Sequence, residues 1–179
     1  MMLDSSRVAT WSGVGAGALF AGIADLVFAM GFWWLAHRVS PKRILQSIAC
    51  GWFGDASYEG GMQTACIGAV SHFAIMFAFF VAYREGARHW PVLGARPLSL
   101  GAIYGLGLYG VMNFIVLLLS AAGMPSFDNA AWVSGSLAMH AIIGVMSIFM
   151  QRQPTTFLSA SRTKAVEHRS VLPVWVVVV

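Results

Sequence analysis

Apolar and polar positions along the chain separate into four long apolar runs joined by polar breaks rich in glycine and proline. The runs cover residues 11–36, 62–83, 98–122 and 130–150. Each reaches the roughly 20 residues that a helix needs to cross a hydrocarbon core. Between the first two runs the pattern changes. Ser40-Pro41 reads as an N-cap followed by the first helical position. Ile44, Leu45, Ile48 and Ala49 then share one helical face, and Lys42, Arg43, Gln46 and Ser47 the other. This predicts a short amphipathic helix lying in the membrane interface. Gly51, Gly54, Gly60 and Gly61 break it into a loop that carries Asp55, Tyr58 and Glu59.

The later breaks are shorter. Residues 84–97 hold Arg84, Arg88, Arg96 and two prolines, which predicts a tight polar turn. Gly123-Met124-Pro125 closes the third run. The expected fold is all-α: one domain over residues 1–152, with four transmembrane helices in an antiparallel bundle. Residues 153–179 form a basic tail that ends in VLPVWVVVV, too short to span as a helix. That β-branched, uncharged end is an aggregation hazard if left free, so docking against membrane or protein is expected.

Composition agrees with the pattern. The chain is 58% hydrophobic and only 10% charged, against about 25% charged in soluble domains. Its net charge of +4 does not point to nucleic acid, because the basic residues lie at the ends of apolar runs. Arg7, Arg84, Arg88, Arg96, Arg152, Arg162, Lys164 and Arg169 fall on one side of the predicted membrane, and only Arg38, Lys42 and Arg43 on the other. The positive-inside rule therefore places both termini in the cytoplasm. The first run is too long for a cleavable signal. Trp11, Trp33, Trp34, Trp90 and Trp132 fall near run ends and read as belt anchors. Cys50 and Cys66 have no metal-ligand spacing; on the outer side a disulfide is allowed, and two unpaired small side chains are expected.

Small residues recur at helical spacing, as Gly13-xxx-Gly17-xxx-Ala21 with Gly22 and as Gly101-xxx-Gly105. Such stripes let neighbouring helices approach closely. The four runs also resemble two copies of one hairpin. His72 and His140 are each followed twelve residues later by an arginine, Arg84 and Arg152. Gly22 precedes Asp25 by three, as Gly110 precedes Asn113.

Each run carries one strongly polar side chain: Asp25, His72, Asn113 and His140. Facing lipid, all four would be unsatisfied, so they are expected to turn inward and meet, with Asp25–His72 and Asn113–His140 as natural pairs. Three readings follow. The cluster is a structural hydrogen-bond network; or it is a proton or solute path, since imidazole titrates near neutral pH; or His72 and His140 are the axial ligands of a haem b, with Gly22 and Gly110 making room. A transition-metal site from Asp25, His72, His140 and Met76 or Met139 is chemically conceivable. No nucleophile–base constellation or phosphate loop is present, so the chain is read as a non-enzymatic membrane protein without a cofactor. It would act as an accessory subunit or a small transport or proton-relay protein; the bis-histidine haem protein is the alternative. Expected partners are the lipid bilayer and either a larger membrane complex or further copies of the chain.

The segments GIADLVFA, SPKRILQSIACGWFG, GAVSHFAIMFAFFVAY, GAIYGLGLYGVMNFIVLLLSA and MHAIIGVMSI together resemble a widespread family of small, uncharacterised four-helix bacterial inner-membrane proteins. The resemblance covers about residues 13–152 and leaves out the tail. It implies a bacterial inner membrane and marks Asp25, His72, Asn113 and His140 as family features. It brings no activity with it.

Overall fold

The computed structural model describes residues 11–151, all of whose regular elements are helical. The leader with Arg7 and the tail over residues 152–179 lie outside the described residues. The helices are α1 (Trp11–His37), α2 (Pro41–Phe53), α3 (Gly61–His89), α4 (Pro97–Val111) and α5 (Ala130–Phe149). Short 3₁₀ turns, Gly54–Tyr58 and Pro91–Gly94, lie between them, and α4 continues as a π-helical turn, Met112–Val116. Four of these stretches are long and apolar enough to cross a membrane: Trp11–His37, Gly61–His89, Pro97–Val116 and Ala130–Phe149.

Two boundaries differ from expectation. The second long helix runs on through Arg84 and Arg88 to His89, so the break before α4 is shorter than residues 84–97. An i,i+3 ion pair between Arg88 and Glu85 supports that extra turn, and Arg84 also pairs with Glu85. The third stretch ends at Val116 rather than at residue 122. Leu117–Ser120 continues only as turns, and the Ala121 amide then donates to the Gly51 carbonyl of α2 across 3.0 Å. Asn113 therefore sits near the end of its helix.

Glycine sets the helix contacts. A Cβ on Gly17 or Gly22 of α1 would overlap the rings of Phe80 or Phe73 on α3. Gly13, one turn earlier, is half-buried. On α4, a Cβ on Gly101 or Gly105 would strike the backbone of α5 at Val145 or His140, and Gly144 of α5 returns the contact. Backbone meets backbone there, with no side chain between. Gly110 makes no such contact; a Cβ there would meet nothing within 4 Å. The small-residue stripe on α4 thus stops at Gly105. Gly68 on α3, which no four-residue stripe marks, is a further close approach, facing the backbone of α2 at Leu45 and Ala49.

The packed core fills one half of the bundle. Val14, Ala18 and Ala21 of α1, Met76 and Phe80 of α3, and Met139 and Ile143 of α5 form one buried cluster. It lies toward the start of α1 and the ends of α3 and α5, where Gln151 donates to the Phe80 carbonyl across 3.1 Å. Tyr104 joins α4 to α3 by donating to the Phe79 carbonyl at 2.6 Å, with its ring edge-on to Tyr83.

At the other end, α2 is anchored to the start of α3 by a polar knot. Gln46, on the polar face of the α2 pattern, is nevertheless 1% exposed. Its amide donates to the carbonyls of Tyr58 and Gly61 and to Thr64 Oγ1. Ser57 Oγ donates to the Gln46 carbonyl, and Thr64 Oγ1 to the Ser57 carbonyl. A loop whose backbone leaves the helical ladder must find partners elsewhere, and Gln46 supplies them. Arg43 covers the Tyr58 ring at 4.0 Å. Cys50 is buried against Ser57 Oγ at 2.9 Å and Cys66 is exposed; both are free thiols. Asp55 and Glu59 stay exposed.

Candidate functional site: a half-open chamber

Where the packed core stops, the helices part around a cavity of about 1030 Å³. Asp25, His72, Asn113 and His140 all line it. The packed core sets its floor: Met76 and Phe79 of α3 and Tyr109 of α4 lie at that end. Ile44, Ser47, Ile48 and Trp52 of α2, with Leu119, Ser120 and Phe127, line the opposite end. Trp52 is held in place by donating from Nε1 to Ser71 Oγ across 2.9 Å.

One wall is an aromatic block that includes Trp33 and Trp132, two of the expected belt anchors. Trp132 of α5 stacks on Phe28 of α1 at 5.8 Å and 10°, and packs against Phe32 and Trp33 at 5.2 and 5.3 Å. Gly135 permits the approach, since a Cβ there would press on the Phe28 ring. This block closes α1 against α5, so Trp33 and Trp132 face the cavity and not only an interface.

The polar groups are arranged less symmetrically than two matched pairs. His72 is buried, and its Nε2 lies 3.0 Å from the carbonyl oxygen of Gly22 on α1. A carbonyl only accepts, so Nε2 carries the proton and Nδ1 is the basic nitrogen. Asp25 Oδ2 stands 4.0 Å from the same Nε2, an ion-pair separation beyond hydrogen-bond range. His140 points its Nδ1 at its own helix, 2.9 Å from the Ser136 carbonyl, which leaves Nε2 as the bare nitrogen; its ring sits edge-on to Tyr109. Asn113 donates to the Tyr109 carbonyl one turn back on α4. The expected Asn113–His140 hydrogen bond is therefore not formed, because each side chain satisfies itself on a carbonyl of its own helix. The π turn accompanies that choice, since it widens the ladder where Asn113 reaches back. Asp25 lies within electrostatic reach of both His72 and His140, so one carboxylate and two imidazoles share the inner part of the chamber.

Among the described residues, no donor reaches the Asp25 carboxylate within hydrogen-bond distance, and its side chain keeps 21% exposure toward the cavity. A largely buried carboxylate ordinarily finds at least one donor. No group of three or more His, Cys, Asp or Glu side chains among the described residues is disposed to hold a metal ion. Axial ligation of a haem through Nε2 of both histidines would require His72 to break its bond to Gly22.

Gln46, Ser57, Thr64 and Gly68, which seat α2 on α3, and Tyr104, which ties α4 to α3, were not marked for these roles by the sequence pattern. Gly68 had a usable signal in the small residues Ala65, Gly68 and Ala69 along one helix. The others had none, because their partners are backbone carbonyls of distant residues. No family model, curated protein or solved structure matches this chain.

Proposed function

We propose that this chain is a small, non-enzymatic, multi-pass protein of a bacterial inner membrane, with both termini cytoplasmic. Its cavity is a binding or transport chamber in which Asp25, His72 and His140 exchange protons with the contents. One observation carries the reading: the Asp25 carboxylate opens on a cavity of about 1030 Å³ and receives no hydrogen bond from the described residues. A network that served only to hold helix register would be closed by packing and would spend its polar atoms between helices. Of the hydrogen bonds made by the side chains of Asp25, His72, Asn113 and His140, only His72–Gly22 crosses from helix to helix, while Asn113 and His140 bond within their own. The size is also that of a small-molecule site, about 300–1,000 Å³.

In this reading α2 lies in the outer interface and covers the chamber. The α1–α3 and α4–α5 pairs are two copies of one hairpin, α2 being an insertion in the first. The matched offsets around His72 and His140 support the duplication. Asp25 Oδ2 and His72 Nε2, 4.0 Å apart, form the relay: once Nδ1 takes up a proton, a modest shift turns the Nε2–H from the Gly22 carbonyl to the carboxylate, which accepts that proton and leaves the imidazole neutral.

The test is proton flux in proteoliposomes carrying an internal pH dye under an imposed potential. Flux is expected in the native protein and absent in Asp25→Asn. Equal flux in both proteins, or none in either, removes the relay.

A further inference from the structure

We infer that the chamber takes a protonated amine carried on a compact apolar body. The inference rests on the chamber reading above and names its ligand. Charge comes first. Among the described residues that line the cavity, Asp25 is the only carboxylate, and no lysine or arginine is present. In a low-dielectric bundle that single negative charge dominates the local field, so an anion is repelled and a monovalent cation is drawn in.

Hydrogen-bonding capacity narrows the class. Both oxygens of Asp25, Nε2 of His140 and Oδ1 of Asn113 receive no hydrogen bond from the described residues, and all three side chains line the cavity. The unfilled capacity is therefore mainly acceptor capacity. An ammonium head presents up to three N–H donors and no acceptor, which complements this set. A hard divalent cation such as Mg²⁺ or Ca²⁺ does not, because it requires six or more oxygen ligands and the cavity offers one carboxylate.

The walls supply the other half of the ligand. Trp33, Trp52, Trp132, Phe79 and Phe127 face the same space and suit an apolar body, and their ring faces attract a cation. A wholly apolar occupant such as an acyl chain would leave Asp25 without a partner at mid-depth, at a cost of several kcal/mol. The groups that face Asp25 are His72 from α3 and His140 from α5, with Tyr109 of α4 on the same cavity. Acid protonates the carboxylate or the imidazoles. Either event removes the attraction for a cation, so ligand and proton compete.

The test uses the full chain in nanodiscs and three probes of one shape: adamantan-1-ylammonium, adamantane-1-carboxylate and adamantan-1-ol. Fluorescence of the cavity tryptophans and calorimetry report binding. The ammonium is expected to bind saturably, the carboxylate not at all over the same range, and the alcohol at least about tenfold more weakly than the ammonium. Asp25→Asn is expected to weaken ammonium binding at least about tenfold, and Asp25→Glu to retain it. In the native protein, affinity is expected to fall on acidification, because protons and the ammonium compete for the chamber. That arm stands even if Asp25→Asn fails to fold. Equal binding of the carboxylate, unsaturable uptake matching empty nanodiscs, an unchanged Asp25→Asn, or a flat pH profile would each overturn the assignment. Flux that depends on Asp25 without ammonium binding would sink the ligand class and leave the relay standing.

Discussion

The Nε2 proton of His72 is given to the carbonyl oxygen of Gly22, 3.0 Å away on the neighbouring helix. Gly22 is three residues before Asp25, so acceptor and acid lie one helical turn apart and share the same imidazole nitrogen within 4.0 Å. The bond ties α1 to α3 and fixes the tautomer. It also holds the Asp25 carboxylate just beyond direct pairing, open to the chamber.

Replacing His72 should therefore separate stability from function. Interhelical hydrogen bonds in membrane bundles average about 0.6 kcal/mol and reach about 1.7. His72→Leu should cost about that much, read as a small loss in thermal midpoint in detergent. Proton flux should be abolished in the same variant. A collapse of the fold would mean that the imidazole is structural and nothing more.

The α4–α5 contact makes a contrast among glycines that sequence alone treats alike. Gly105→Ala and Gly144→Ala place a methyl into the opposing backbone and should each destabilise by about 1–3 kcal/mol. Gly107→Ala and Gly110→Ala meet nothing within 4 Å and should be neutral or gain up to about 1 kcal/mol from helix propensity. Denaturation in mixed micelles measures all four.

Gln46→Leu keeps the volume and removes the donor that serves Tyr58, Gly61 and Thr64. Leaving buried acceptors unpaired costs about 1–3 kcal/mol. Amide exchange over residues 54–64 should accelerate, while the α4–α5 amides stay protected. Uniform acceleration would show that the knot is not a separate unit.

The two thiols should differ in reactivity. Cys66 is exposed and should be labelled by a membrane-permeant maleimide, whereas Cys50, buried against Ser57, should react only on unfolding. Mass spectrometry of the native protein should find both reduced. A Cys50–Cys66 bridge would contradict the arrangement of α2 on α3.

Much of the bundle was legible from composition and spacing. Four runs of about 20 apolar residues leave few alternatives to four long helices, because a backbone in hydrocarbon must satisfy its own hydrogen bonds. Ser40-Pro41 announces α2 for an equally local reason: the Ser40 hydroxyl accepts from the Arg43 amide at the helix start. The early stop of α4 was less accessible. Residues 112–122 are apolar enough to continue a helix, and the chain leaves it where the Ala121 amide can reach Gly51 of α2.

By itself, the sequence determined the number of long helices, the cost of Asp25, His72, Asn113 and His140 in an apolar setting, and four glycines at which α1 and α4 pack closely, Gly17, Gly22, Gly101 and Gly105, though not the open surroundings of Gly110. These are properties of single residues and short periods. Tertiary structure decided the rest. It made the cluster a half-open chamber instead of a sealed network, because the packed core fills only one half of the bundle. Asn113 and His140 bonded to their own helices, and Gln46 turned inward, because the carbonyls within reach lay there. Which acceptor a polar side chain finds depends on where distant backbone ends up, and no local pattern encodes that.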